Sequence, residues 1–230
     1  MQNKKLRALR AAFPHTIPVL TGFLVLGIAY GVLMQTKGYG VIWSVAMSAI
    51  AFCGSMQFVA LTLLTTVFAP VQAFLLSLMV NARHLFYGIS MLEKYKGLGK
   101  TRVFLIYTLC DETFSIASSI DPPADVPRKE FYFFLSLLNY LYWVLGTFLG
   151  GVLGGLITFN TEGLDFVLTA LFVVLLLEQL KHRENIPSAI VGLTATAAAL
   201  LLFGADRMVI PAMVLILIIL LIMGRKKACI

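Results

Sequence analysis

The sequence predicts an all-α, polytopic bundle of transmembrane helices with at least one helix broken inside the membrane. Three observations lead there. Of 230 residues, 60% are hydrophobic and only 13% charged; the apolar residues gather in eight runs separated by short loops; and the cations sit at the ends of those runs. With a mean hydropathy of +0.92, a water-soluble domain could not cover this much apolar surface. A crossing takes about 20 apolar residues at about 1.5 Å each, so the chain has room for about seven or eight spans. Little is left for anything else, and residues 1–230 read as one integral membrane transporter domain.

The runs are Pro14 to Gln35, Val41 to Ala69, Val71 to Leu92, Val103 to Ile120, Phe131 to Phe159, Leu164 to Leu180, Ser188 to Phe203 and Met208 to Met223. The first follows Lys4, Lys5, Arg7 and Arg10 and imitates a signal peptide. Its apolar part is long and lacks a small-residue cleavage site, so it reads as a retained helix. The second is long for one span and is interrupted at Gly54-Ser55-Met56-Gln57, which suits a broken hairpin that enters and leaves on one side. Backbone donors exposed at such a break can meet a substrate carboxylate. A small-residue packing notch, with Gln57 bonded to a neighbouring helix, explains the same residues.

Ionisable groups at bilayer depth cost on the order of 3 kcal/mol each at a helix centre, so their presence needs a reason. On the third run Ser77, Asn81, His84 and Gly88 share one face, while Arg83 lies about 100° around. On the fourth, read as one helix, Tyr107, Asp111, Ser115 and Ser118 form a stripe beside Thr108, Glu112, Ser115 and Ser119. The simplest arrangement pairs Arg83 with Asp111 or Glu112, leaving the other acid or His84 to titrate. A buried ion pair that only holds two helices in register is the structural alternative. Gly27 and Gly31, then Gly146, Gly150 and Gly154 with Gly151 and Gly155, have the spacing of close helix packing. Asn139, Tyr140 and Tyr142 are polar candidates for a path or an interface. Glu178, Gln179, Lys181 and His182 end a helix and read as solvated.

The net charge of +7 does not indicate nucleic acid, because its cations flank apolar runs as orientation and anionic-lipid signals do. Both termini are expected in the cytoplasm. Single crossings throughout would put the basic loop Glu93 to Arg102 on the wrong side; a hairpin at the second run repairs this but displaces Lys181-His182-Arg183 unless a later run is also discontinuous. Gln35 to Ser44 and Asn160 to Thr169 share turn chemistry, a faint sign of an internal repeat. Cys53, Cys110 and Cys229 indicate neither a disulfide framework nor a metal site, and no cofactor is expected.

The segments GSMQF (Gly54 to Phe58), NARHLFYG (Asn81 to Gly88) and DETFS (Asp111 to Ser115), in this order and after an opening PHTIPVLTGF with GIAYG, resemble the AzlC family of branched-chain amino acid exporters. The likeness covers nearly the whole chain, with its specific motifs in the first half. It implies export of valine, leucine, isoleucine or analogues across the bacterial cytoplasmic membrane, with a small hydrophobic AzlD-type subunit; a protonatable Glu112 at membrane depth suits a proton-coupled carrier. The family's motif positions are Gly54, Ser55, Gln57, Asn81, Arg83 and His84, expected at the substrate, with Asp111, Glu112 and His84 expected to couple to the ion. Three other readings are an ATP-driven permease subunit, a scaffold for a small partner transporter, and an intramembrane enzyme with Ser55 as nucleophile and His84 as base. The last is weak, since the nucleophile turn normally has glycine after the serine; the first would need an ATPase partner, since the chain has no P-loop.

Overall fold

The structure is a computed structural model of the chain, and it describes residues 2–67, 69–156, 186–204 and 208–228, with single positions between 173 and 183. Among the described residues every regular element is a helix. The chain divides into two compact units, 1–164 and 165–230.

In the first unit α1 (Gln2–Thr36) begins well before Pro14 and runs through Pro14 and Pro18. Residues 4–12 are good helix formers, and Ala8 and Ala12 are fully buried, so packing carries the helix past two prolines whose rings each remove a backbone donor. At 1.5 Å per residue its 35 residues extend about 52 Å, more than a hydrocarbon core of about 30 Å.

The second run is a returning hairpin of α2 (Val41–Ala51) and α3 (Gly54–Thr65). Each arm is about half a membrane deep at 1.5 Å per residue. The break falls at Phe52 and Cys53, where Phe52 takes a left-handed conformation (φ 39°, ψ 51°). Such a conformation costs a bulky L-residue about 1–2 kcal/mol. Phe52 is buried, with its ring 5.1 Å from that of Tyr140. The two ends of the hairpin meet, Tyr39 Oη donating to the Leu64 carbonyl at 3.1 Å, so the chain leaves on the side where it entered.

α4 (Pro70–Met91) starts with proline at its first position, the place where a missing N–H costs least. It returns to the N-terminal side of α1: Met91, Tyr95 and Leu98 pack with Ala8, Ala12, Val126 and Phe131 in one buried cluster.

The fourth run is not one helix. α5 (Thr101–Tyr107) stops, residues 108–110 turn, and α6 (Asp111–Ser119) starts anew. Thr108 caps α5 and turns its hydroxyl onto the Phe104 carbonyl at 2.8 Å, while Asp111 and Glu112 occupy the first turn of α6, where the helix dipole favours acids. Tyr107 and Asp111 therefore lie on different helices, and the expected stripe joining them does not form. α6 also returns, since Lys94 Nζ donates to the Ser118 carbonyl at 3.0 Å. The charge rule asked for a second discontinuous segment, and 101–119 is one. The loops at 92–100 and 120–127 consequently open on the side of the α1 N-terminus, where Arg128 donates to the Lys94 carbonyl at 3.1 Å. Lys4, Lys5, Arg7 and Arg10 thus share a side with Lys94, Lys96, Lys100 and Arg102.

α7 (Arg128–Leu156) runs parallel to α1, and glycines form the seam. A Cβ on Gly31 would stand 2.3 Å from the Thr147 carbonyl oxygen, and one on Gly150 would stand 2.1 Å from that of Ile28. The unit thus repeats a motif in opposite senses: crossing helix and returning hairpin (α1, α2–α3), then crossing helix and returning hairpin (α4, α5–α6). This repetition differs from the one suggested by Gln35 to Ser44, whose counterpart at 160–169 lies outside the described residues, as do Glu178, Gln179, Lys181 and His182.

In the second unit α8 (Ile186–Phe203) ends at Gly204, whose φ of +73° suits glycine, and packs against α9 (Val209–Ala228). By length and composition α1, α7 and α8 can each cross a membrane.

Asp121, in the loop before α7, bonds to Lys94 Nζ (3.2 Å) and accepts from Tyr132 Oη (3.1 Å). The Lys94 bond first, and the Tyr132 hydroxyl second, hold its carboxyl below the usual range. A carboxyl depressed by folding adds stability above its unfolded pKa of about 3.9, and that stability is lost as pH falls through the folded value. The melting temperature in detergent is therefore expected to fall less between pH 5 and pH 3 for Asp121→Asn than for the native chain. The difference should be small, because Asp121 is exposed and screened.

Candidate functional site

The two hairpins bring the starts of two half-helices toward one residue of α4. Arg83 Nη1 lies 2.7 Å from Asp111 Oδ2 in the first turn of α6, and Arg83 Nη2 donates to Ser55 Oγ at 2.7 Å in the first turn of α3. Of the two acids available to Arg83, Asp111 forms the ion pair. The pair is about one-third exposed on both sides (36% and 31%), which leaves room for a ligand beside it. No side chain caps α3, so its first N–H groups present the positive end of a dipole, whereas Asp111 and Glu112 already occupy that end of α6. Such ends bind anions.

Hydrogen-bonding capacity of both signs is left over. Arg83 Nε, Asp111 Oδ1, Asn81 Oδ1 and His84 Nδ1 are buried and have no partner among the described residues. Buried polar groups are seldom left so, and these four belong to Arg83, its two neighbours on α4 and the acid that Arg83 pairs with. Asn81 makes one long contact, 3.5 Å to Ser77 Oγ. His84 meets Tyr87 edge to face at 5.8 Å, and Tyr87 stacks on Phe114 at 4.4 Å, an aromatic wall beside the polar cluster. Ser55 accepts from Arg83, and no hydrogen bond joins it to His84, so a serine–histidine pair is not formed.

Two of the sequence candidates have other company. Gln57 is fully buried, donates from Nε2 to Ser48 Oγ (2.8 Å) and accepts at Oε1 from Trp143 Nε1 (2.8 Å). Ser48 bonds onward to Thr147 at 2.8 Å. This chain fastens the first hairpin to α7, as the packing alternative had it. Gly54 sits under the Trp143 ring, 3.3 Å from where a Cβ would be. Glu112 stands beside Asp111 at the start of α6, in contact with the Cys110 thiol.

Sequence reasoning missed the joint between the hairpins. Tyr107 Oη lies 2.6 Å and 2.7 Å from the Ala49 and Ile50 carbonyls at the C-terminal end of α2, and Tyr140 Oη lies 2.9 Å from Ala49. Two tyrosines thus satisfy carbonyls that the broken helix leaves open. Only the position of Tyr107 just before an acid pair hinted at this. Tyr107→Phe is expected to cost about 1 kcal/mol of stability, read as a lower melting temperature of the purified protein. An apolar cavity of about 670 Å³ beside α2, lined by Met34, Tyr39, Trp43, Met47 and Leu64 among others, includes none of the Arg83 cluster.

The family model for the AzlC protein matches residues 18–157, the stretch that holds both hairpins and Arg83. The chain is 51% identical to the Branched-chain amino acid transport protein AzlC of Bacillus subtilis, over 95% of its own length and 86% of that protein's. It is 39% identical to an uncharacterized membrane protein of Haemophilus influenzae over 95% and 90% of the two chains. It is 37% identical to another of Helicobacter pylori over 97% and 98%. No solved structure matches it. With helices that can cross a bilayer and membrane proteins as relatives, it is a multi-pass membrane protein, and it belongs to the AzlC family.

Proposed function

We propose that this chain is the large subunit of a two-component exporter that moves branched-chain amino acids out across the bacterial cytoplasmic membrane, coupled to protons and working with a small AzlD-type subunit. The observation that carries the reading is the fork of Arg83 across the first turns of two broken helices. An amino acid is a zwitterion, and this cluster holds complements to both charges. The carboxylate meets Arg83 Nε and the free N–H groups at Gly54 and Ser55; the ammonium meets Asp111 Oδ1 and Asn81 Oδ1. The aliphatic side chain lies against the Tyr87 and Phe114 rings. Glu112, beside Asp111 but outside the ion pair, carries the coupling proton, and His84 is the second group able to do so.

Substrate entry loosens the Arg83–Asp111 pair, which frees the two hairpins to move relative to α4. The N-terminal side, rich in lysine and arginine, is cytoplasmic by the positive-inside rule.

Efflux of preloaded radiolabelled leucine from cells lacking their own exporter tests this, with the chain expressed with and without the small subunit. Export that needs both chains and stops when the proton gradient collapses is expected. Glu112→Gln, expressed normally, is expected to lose at least about tenfold in rate, since it removes a proton carrier while keeping the shape. Export that persists without a proton gradient but ends on ATP depletion would instead favour the ATP-driven permease.

A further inference from the structure

We propose that buried water relays protons behind the second hairpin, from the N-terminal side of the membrane to the Glu112 carboxylate, past the unpartnered polar atoms of Tyr95, Ser136 and Asn139. The inference rests on the proton-coupled reading given above and adds the path by which the proton arrives.

Tyr95 Oη, Ser136 Oγ and Asn139 Oδ1 are buried and have no partner among the described residues, and all three residues are fully enclosed. They belong together. Ser136 and Asn139 are three apart on α7, one turn beyond Tyr132, so the three share a face. Asn139 Nδ2 donates to Thr113 Oγ1 at 3.0 Å, and Thr113 Oγ1 lies 3.2 Å from Cys110 Sγ in the turn of the hairpin. The Tyr95 ring meets Tyr132 edge to face at 5.6 Å, and Tyr95 packs in one buried cluster with Leu109, the residue before Cys110. Cys110 in turn contacts Glu112.

An orphaned polar atom in a dry interior costs about 1–3 kcal/mol. In the proposed relay buried water meets these three, since such water makes two to four hydrogen bonds at sites of this kind. Leu105, Leu109, Ala117 and Leu135 pack with Tyr95 in one buried cluster and would confine it. At the outer end Tyr132 Oη donates to Asp121, an exposed carboxylate flanked by Lys94 and Arg128. At the inner end Glu112 faces Asp111, Cys110 and Arg83. The tract therefore joins a solvent-side acid to a membrane-depth acid. A proton passing along it makes and breaks only O–H bonds, adding to a Glu112 oxygen and leaving by the same waters.

Tyr95→Phe and Ser136→Ala each remove one hydroxyl that has no protein partner and leave the shape nearly unchanged. A purely structural role predicts no loss from either. The full chain, reconstituted with its small subunit in vesicles, is assayed for exchange of labelled against unlabelled leucine at equal pH. Leucine-driven proton movement is then followed with a trapped pH dye. Both variants are expected to exchange leucine within about twofold of the native rate and to lose at least about tenfold in proton movement, the scale of a missing proton-transfer group; Ser136→Thr should restore it. Native-rate proton movement in both variants, or equal losses in exchange and proton movement, would overturn the route while leaving the exporter reading intact. A native protein that exchanges leucine without moving protons would overturn the proton-coupled reading and the route with it.

Discussion

Arg83→Gln is expected to cut leucine efflux by about 10- to 100-fold, because it removes the cation offered to the substrate carboxylate, and a hydrogen bond from a charged donor is worth about 1.5–3 kcal/mol where tenfold is about 1.4 kcal/mol. Arg83→Lys should fail almost as completely. A lysine supplies one point of charge, whereas the fork reaches Ser55 and Asp111 at once, 2.7 Å from each. The double change Arg83→Gln with Asp111→Asn separates structure from transport. Losing one partner strands a charge, while losing both does not. The double variant is expected to recover most of the thermal stability lost in either single variant and to recover none of the efflux.

The largest effect on stability is expected at the seam of α1 and α7. Gly150→Val should prevent accumulation of folded protein, and Gly150→Ala should lower the melting temperature sharply, as followed by size-exclusion chromatography after heating in detergent. The new Cβ would press on the Ile28 carbonyl oxygen at 2.1 Å, and the neighbouring Gly31 meets the Thr147 carbonyl from the other side. Both contacts are backbone to side chain within paired helices, so no rotamer change relieves them. Overpacking of this kind costs about 1–3 kcal/mol even where side chains can yield. Gly22 and Gly88 meet nothing within 4 Å, and alanine at either is expected to be tolerated.

The first hairpin is legible in the sequence because Val41 to Ala69 is too long for one crossing and carries Gly54-Ser55 at its middle. The second is hidden because Val103 to Ile120 has the length of a single span. Its one local sign is that Asp111 and Glu112, adverse at a helix centre, are favourable in a helix's first turn. The position of the cations then confirms the reading at the level of the whole unit, since two returning hairpins bring the basic loops to one side. The α1 helix exceeds its expected start at Pro14 because burial of Ala8 and Ala12 outweighs the local preference of proline. Motif residues are visible as a set, but their partners are not: Trp143 is distant in sequence from Gln57 and Tyr107 from Ala49, and only folding shows that Gln57 serves the hairpin's attachment while Ser55 serves the Arg83 fork.

In the proposed exporter the Arg83 cluster reads both charges of a branched-chain amino acid. The most direct measurement is thermal stabilisation of the purified protein by leucine, by leucinamide, which lacks the carboxylate, and by 4-methylpentanoate, which lacks the ammonium group. A ligand at about 100 times its dissociation constant stabilises the folded state by about 2.7 kcal/mol. Leucine is expected to raise the melting temperature in the native chain and not in Arg83→Lys, and neither analogue is expected to raise it in either. Equal stabilisation by leucine and leucinamide, or a full response to leucine in Arg83→Lys, would show that the Arg83 cluster does not read the carboxylate.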